Sequence, residues 1–211
     1  MTDSEMYMMI VKGMRGGFSQ ISHRYAKQTD EEPTTTTTTS SPKRKQIIYR
    51  DANNLYPTTM SDYPLPYGCF KWDERLFRLP EMTYEDCRKT LTNDSEVGYI
   101  LEVDLIYPKH LHDMHNSYPL APEHMTITKN HLSPYQKQIV DKLDINLTSN
   151  NKKLCATLND IHQYTVYYKN LLLYMKQGMI LRKIHGAIQF KQSDFFKSYV
   201  DFNTMKRKQQ K

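Results

Sequence analysis

Between Asp30 and Lys45 the chain offers nothing that a core could use. The tract runs through Glu31, Glu32 and Pro33, six consecutive threonines, Ser40, Ser41 and Pro42, and ends in the basic triplet Lys43, Arg44 and Lys45. Threonines favour strands one by one, but no apolar residue alternates with them, so no face can be buried and a disordered linker is expected over 30–45. Any folded body must therefore be assembled from 1–29 and 46–211. In a chain of 211 residues, what remains is enough to enclose a substantial core, in one large domain or two small ones.

Charge and cysteine usage narrow the class. A net charge of +6 and a pI near 9.0 suit a polyanionic partner, although a surplus of that size is weak evidence alone. Sixteen tyrosines beside many cations offer stacking surfaces for single-stranded nucleic acid, while packing in the core or at its rim is the plainer reading of any one of them. Cys69, Cys87 and Cys155 are widely spaced with no Cys-x-x-Cys pair, which speaks against a disulfide framework or a zinc knuckle and for a reducing compartment. No stretch has the apolar length of a membrane span, and the N-terminus lacks a signal peptide's apolar core. An intracellular location is expected.

Hydrophobic periodicity and punctuation lay out the elements. Met6–Gly13 reads as an apolar strand or short helix that runs into Arg15, Gly16, Gly17 and Phe18. Gln46–Arg50 reads as a strand, and Pro64, Pro66 and Gly68 predict a loop over Ser61–Phe70. Val97–Ile106 is the strongest strand signal, with Tyr99, Leu101, Val103 and Leu105 on one face and Glu102, Asp104 and Ile106 on the other. Ser133, Pro134 and Gln136 make a capping box for a helix to about Leu143. A strand is expected over Leu154–Leu158, an extended segment over Tyr164–Tyr168, a helix over Asn170–Gln177 stopped by Gly178, and a further extended segment over Ile180–Phe190. Ser193 is expected to cap a last helix from Asp194 to about Lys208. Phe195, Phe196, Tyr199 and Phe202 fall on one side of it, and Lys206, Arg207, Lys208 and Lys211 gather at its C-terminal end.

Two clusters carry candidate chemistry. His110, His112 and His115, with Asp113 among them and His124 beyond, would suit zinc by ligand type. The stretch sits between Pro108 and Pro119, however, and lacks both a thiol and the helical His pair with Glu of a metalloprotease, so a structural role is the better reading. The second cluster is the run Asp51, Ala52, Asn53, Asn54, Leu55, Tyr56 and Pro57, a carboxylate between a short apolar segment and a turn. By itself such a run is also an ordinary turn former.

That run resembles the first polymerase signature of family B DNA polymerases, Asp-x-x-x-Leu-Tyr-Pro. Its continuation through Met60, Leu65, Pro66, Gly68, Phe70, Lys71 and Trp72 resembles the protein-primed branch carried by Polinton-type transposons and related viruses. Arg15, Gly16 and Gly17, within Met14–Lys27, resemble the Gly-Gly element that lies between exonuclease and polymerase domains and holds the template strand. The resemblance covers essentially the whole chain outside the threonine-rich tract.

The resemblance implies an α+β fold, part of a polymerase palm sheet with packed helices and an inserted small subdomain. The segments it suggests are a template-loop segment over 1–29, the linker, a palm strand and first signature over 46–72, an insertion over 73–160, and a palm return with the start of a fingers helix over 161–211. The implied activity is DNA-directed DNA polymerisation with Mg2+. Asp51 would be the catalytic metal ligand, joined by the carbonyl of Ala52; the amides of Asn54, Leu55 and Tyr56 would face the triphosphate, and the Tyr56 ring would lie under the deoxyribose. Lys206 or Arg207 would meet the triphosphate from the fingers helix, although cations at a helix C-terminus are favoured by the macrodipole in any case. Partners would be template and primer DNA, deoxynucleoside triphosphates and a terminal priming protein, at a nuclear or viral replication site.

The second and third signatures, Lys-x-x-x-Asn-Ser-x-Tyr-Gly and Asp-Thr-Asp, do not occur in the chain. Asp104 is therefore read as structural, and the polypeptide is expected to be part of a polymerase, inactive alone. The alternative is a catalytically silent module that binds DNA or a priming protein.

Overall fold

A computed structural model describes residues 3–23, 25–28, 46–79, 81–147 and 152–209. The linker expected over 30–45 lies outside the described residues. The chain divides into two compact units, Met1–Ser19 with Pro66–Ser193, and Gln20–Leu65 with Asp194–Lys211.

In chain order the elements are α1 (Ser4–Gly13), α2 (Leu55–Asp62), β1 (Leu65–Trp72), α3 (Tyr84–Leu91), β2 (Val97–Ile106), the single turn α4 (His112–His115), β3 (Glu123–Met125), α5 (Pro134–Lys142), β4 (Lys153–Cys155), β5 (Ile161–Tyr167), α6 (Tyr168–Lys176), β6 (Ile180–Ser193) and α7 (Lys197–Gln209). The fold is α+β. A four-stranded sheet has the order β1-β6-β2-β5, and β3 pairs with β4 in a separate ribbon. β2 runs antiparallel to both of its neighbours.

The sheet is central to the first unit because β2 has the alternation that the sequence suggests. Tyr99, Leu101, Val103 and Leu105 are all buried and share a core with Cys87 and Leu91 of α3 and Leu171 and Met175 of α6. Burial pushes the Cys87 thiol up to about 11, so it behaves as a small apolar side chain. The opposite face is covered by α1, where Met6 and Met9 pack with Ile188, Ile100, Phe70 and Trp72. The ambiguity at Met6–Gly13 resolves as helix because Asp3 caps it. One carboxylate oxygen of Asp3 accepts from the amides of Glu5 (2.8 Å) and Met6 (3.1 Å), and the other accepts from Trp72 Nε1 (3.1 Å). The i, i+3 spacing of Met6 and Met9 then faces the sheet.

Several boundaries follow the sequence closely. The capping box at Ser133 is present, with the Ser133 hydroxyl accepting from the Gln136 amide and the Gln136 side chain accepting from the Ser133 amide. Ser133→Ala is expected to lower unfolding stability by about 1 kcal/mol in a urea titration. Gly178 ends α6 at φ +100°, where a Cβ would lie 2.9 Å from Leu111 Cδ1.

Four expectations are corrected. Gln46–Arg50 is not a strand: all five residues are exposed and none is paired among the described residues, and an apolar run without a partner ladder gains nothing from extending. Ser61–Phe70 is not a loop, since α2 runs to Asp62 and β1 starts at Leu65. β1 is an edge strand, and an edge needs ladder bonds on one side only, which is why Pro66 is tolerated there. Ser193 does not cap α7. It closes β6, and the Asp194 carbonyl accepts from Lys197 N (2.9 Å) to start the helix later. The strand expected over Leu154–Leu158 is shorter and earlier, Lys153–Cys155.

Buried and bridged carboxylates tie the first unit to pH. Asp73, 5 % exposed, accepts from Arg75 Nε (2.9 Å), Nη2 (2.8 Å) and N (3.2 Å), and the Arg75 guanidinium holds its carboxyl below the ordinary value. A depressed native pKa makes its contribution complete above the unfolded value of about 4 and lost as pH falls through the native one. Thermal midpoints should therefore fall as pH drops below about 4, and Asp73→Asn should flatten that decline while lowering the midpoint at neutral pH.

Candidate active site

In the second unit, Asp51 and Ala52 are exposed and precede a turn at Asn53 and Asn54. Asp51 does not follow a strand, contrary to expectation, and among the described residues it makes no ion pair. Asn54 is left-handed at φ 64°, ψ 32° and serves as N-cap of α2 without a side-chain capping bond. Asparagine tolerates that conformation. Because an N-cap side chain bonds the first-turn amides from an extended backbone, the left-handed Asn54 gives up that bond, and the amides of Leu55 and Tyr56 are left without a side-chain cap. Pro57 sits in the first turn, where its missing N–H costs nothing, and the ladder begins with Thr58 N donating to Asn54 O (3.0 Å). Tyr56 is 83 % exposed and Leu55 62 %.

α7 packs against α2 in the same unit. The Ser61 hydroxyl donates to Asp201 Oδ1 (3.2 Å) and Lys197 pairs with Asp201 (3.4 Å). Asp201 is not among the sequence candidates, although its i, i+4 spacing from Lys197 is a usable signal. Lys206 and Arg207 are exposed near the end of α7, with Lys206 Nζ 5.6 Å from the centre of the Phe202 ring. The candidates Asp51, Ala52, Asn54, Leu55, Tyr56, Lys206 and Arg207 thus belong to one unit.

Arg15, Gly16 and Gly17 belong to the other. Gly17 turns the chain at φ +71°, and nothing stands near either glycine's missing Cβ. Arg15 is engaged in the fold: its guanidinium lies 3.8 Å from the centre of the Tyr164 ring, and Nη1 donates to Thr165 O (2.6 Å) and Gly13 O (3.1 Å). That guanidinium fastens the segment after α1 to β5, a use that a phosphate would have to displace.

The histidines are absorbed locally. His115 Nδ1 shares a hydrogen bond with the Tyr107 hydroxyl (2.8 Å), His112 Nε2 lies 3.3 Å from Tyr107 O, and the Tyr107 hydroxyl also accepts from Leu120 N (3.2 Å). His110 and His124 are exposed. Among the described residues no group of three His, Cys, Asp or Glu side chains is placed to hold a metal ion. Asp104 accepts from Gln163 N (2.9 Å) and lies 2.9 Å from His185 Nε2. Burial alone would raise its carboxyl, but those two partners hold it below the ordinary value, in keeping with a structural role.

A family model described as DNA polymerase type B, organellar and viral, matches residues 1–211. No curated protein and no solved structure matches the chain. Among the described residues no helix is long and apolar enough to cross a membrane.

Proposed function

Because the chain belongs to the organellar and viral type B DNA polymerase family, we propose that it supplies the first-signature region of a DNA-directed DNA polymerase, with template, primer and deoxynucleoside triphosphates as partners. The observation that carries this reading is the uncapped, left-handed entry to α2 at Asn54, between the exposed Asp51 carboxylate and the exposed Tyr56 ring. First-turn amides without a side-chain cap and the positive end of a helix favour an anion such as a triphosphate.

The donors at this point suit Mg2+. A carboxylate and a carbonyl oxygen are hard ligands, and magnesium is commonly held by one or two carboxylates together with substrate phosphates and water. Asp51 and the Ala52 carbonyl would hold it, and when bound the ion would offset the charge that develops on the phosphates. Asn54 orients the Leu55 and Tyr56 amides toward the phosphates, Tyr56 presents its ring to the sugar, and Lys206 or Arg207 adds positive charge from α7. Arg15, Gly16 and Gly17 remain the template candidates, with the glycines offering backbone and Arg15 committed to Tyr164 and Thr165. The protein-primed, Polinton-type assignment, with a priming protein as partner and an intracellular replication site, rests on the continuation from Met60 to Trp72 and stands as part of this proposal.

The test is sugar discrimination in a polymerase that carries this chain together with the second and third signatures. Tyr56→Ala should raise ribonucleotide incorporation relative to deoxyribonucleotide by about tenfold, the scale set by removing one contact from a pocket. Unchanged discrimination would remove Tyr56 from the site.

A further inference from the structure

The first unit holds a groove of about 730 Å³ that is broadly open to solvent. Its floor is apolar: Met8 and Met9 of α1, Trp72 at the end of β1, and Phe77. The backbone of Gly186 completes it, since a Cβ there would touch Met9 (3.6 Å) and Glu102 (3.7 Å). Met8 is 62 % exposed although it belongs to this floor.

The rim has the opposite charge from the chain as a whole. Glu5, Glu74 and Glu102 line it, in a protein with a net charge of +6. Of the nitrogen bases in the lining, Lys12 pairs with Glu102, and His185 Nε2 lies 2.9 Å from Asp104. Glu74 has only a distant pairing with Arg78 (3.9 Å), and both of those side chains are solvent-exposed. Carboxylates on the rim repel a phosphate backbone, so nucleic acid is a poor occupant. A groove this open would leave much of a small molecule in water, whereas small-molecule sites bury most of their ligand, so a length of chain is the better occupant.

We propose that this groove docks a basic amphipathic segment of a partner protein, an apolar side chain seated on Met8, Trp72 and Phe77 and flanking lysines or arginines set against Glu5 and Glu74. The arrangement is the helix-in-groove mode, in which apolar anchors give affinity and charge gives orientation. It stands apart from the polymerase reading, whose catalytic candidates all lie in the other unit.

Trp72 is the only tryptophan in the chain, so its emission reports on the groove directly. The probe is a synthetic amphipathic helix of leucine and lysine titrated into the full chain, beside the same helix with glutamate for lysine and an oligodeoxythymidine. The leucine-lysine helix should shift Trp72 emission to the blue, saturably, and protect it from acrylamide quenching. The Met8→Lys and Glu74→Lys double variant alters exposed positions and should keep the wild-type circular dichroism while weakening binding by about tenfold or more, the cost of one anchor contact. A flat titration, an equal response to the glutamate helix or to oligodeoxythymidine, or unchanged affinity in the folded double variant would overturn the proposal.

Discussion

Asp51→Asn, made in a polymerase that carries this chain with the second and third signatures, should lower primer extension by about 10³-fold, since losing a metal-holding charge removes several kcal/mol of transition-state stabilisation. The substitution changes little else. Asp51 is exposed and makes no ion pair among the described residues, so the unfolding midpoint should stay at the wild-type value. Primer-template binding in a mobility-shift assay should persist, because phosphate-backbone affinity is supplied by cations rather than by a carboxylate. The same measurement separates the two readings of the chain. In a catalytically silent module the variant and the wild type would behave alike, and full primer extension by Asp51→Asn would remove this carboxylate from the reaction.

How much of this was legible depends on whether an element's reason for existing is local. β2 was readable because a two-residue period is written in ten consecutive residues. α5 was readable because its cap is a spacing of three, Ser133 to Gln136. β1 was not, because Pro66 and Gly68 are punctuation in every context except an edge strand, and strand order is a property of the whole sheet. Gln46–Arg50 failed the other way. Ile47 and Ile48 have strand propensity, but propensity alone forms no ladder.

The candidate site shows the same division. The motif Asp51–Pro57 was legible as a motif, and Asn54 as a turn former. That Asn54 would enter α2 left-handed and leave the helix uncapped was not written in its identity, because asparagine caps helices at least as readily. Arg15 is a template candidate only through the resemblance of its segment to a Gly-Gly element. Its stacking on Tyr164 joins residues far apart in sequence, and no local pattern announces it. The acidic groove was also out of view, since its carboxylates come from α1, the turn after β1, and β2.

Two glycines of the same sheet should respond very differently to alanine. At Gly98 a Cβ would stand 2.3 Å from Phe190 Cε2 and 2.6 Å from both Phe190 Cζ and Gln192 Oε1. Neither neighbour can yield cheaply. Phe190 is 1 % exposed, with Phe70 at 5.7 Å and Tyr167 stacked at 6.5 Å. The Gln192 amide donates to Ser95 O (3.0 Å), Val97 O (3.2 Å) and the Tyr168 hydroxyl (3.0 Å), so moving it strands buried polar groups. Gly98→Ala is therefore expected to cost about 3 kcal/mol, the upper part of the usual range for overpacking a core. At Gly186 the nearest atom to the same Cβ is 3.6 Å away, an ordinary contact, and Gly186→Ala should fall within about 1 kcal/mol of wild type because the lost glycine entropy in the unfolded chain offsets any small adjustment. Urea titrations followed by Trp72 emission would measure both, and equal shifts for the two variants would mean that Phe190 and Gln192 are free to move where the packing holds them fixed.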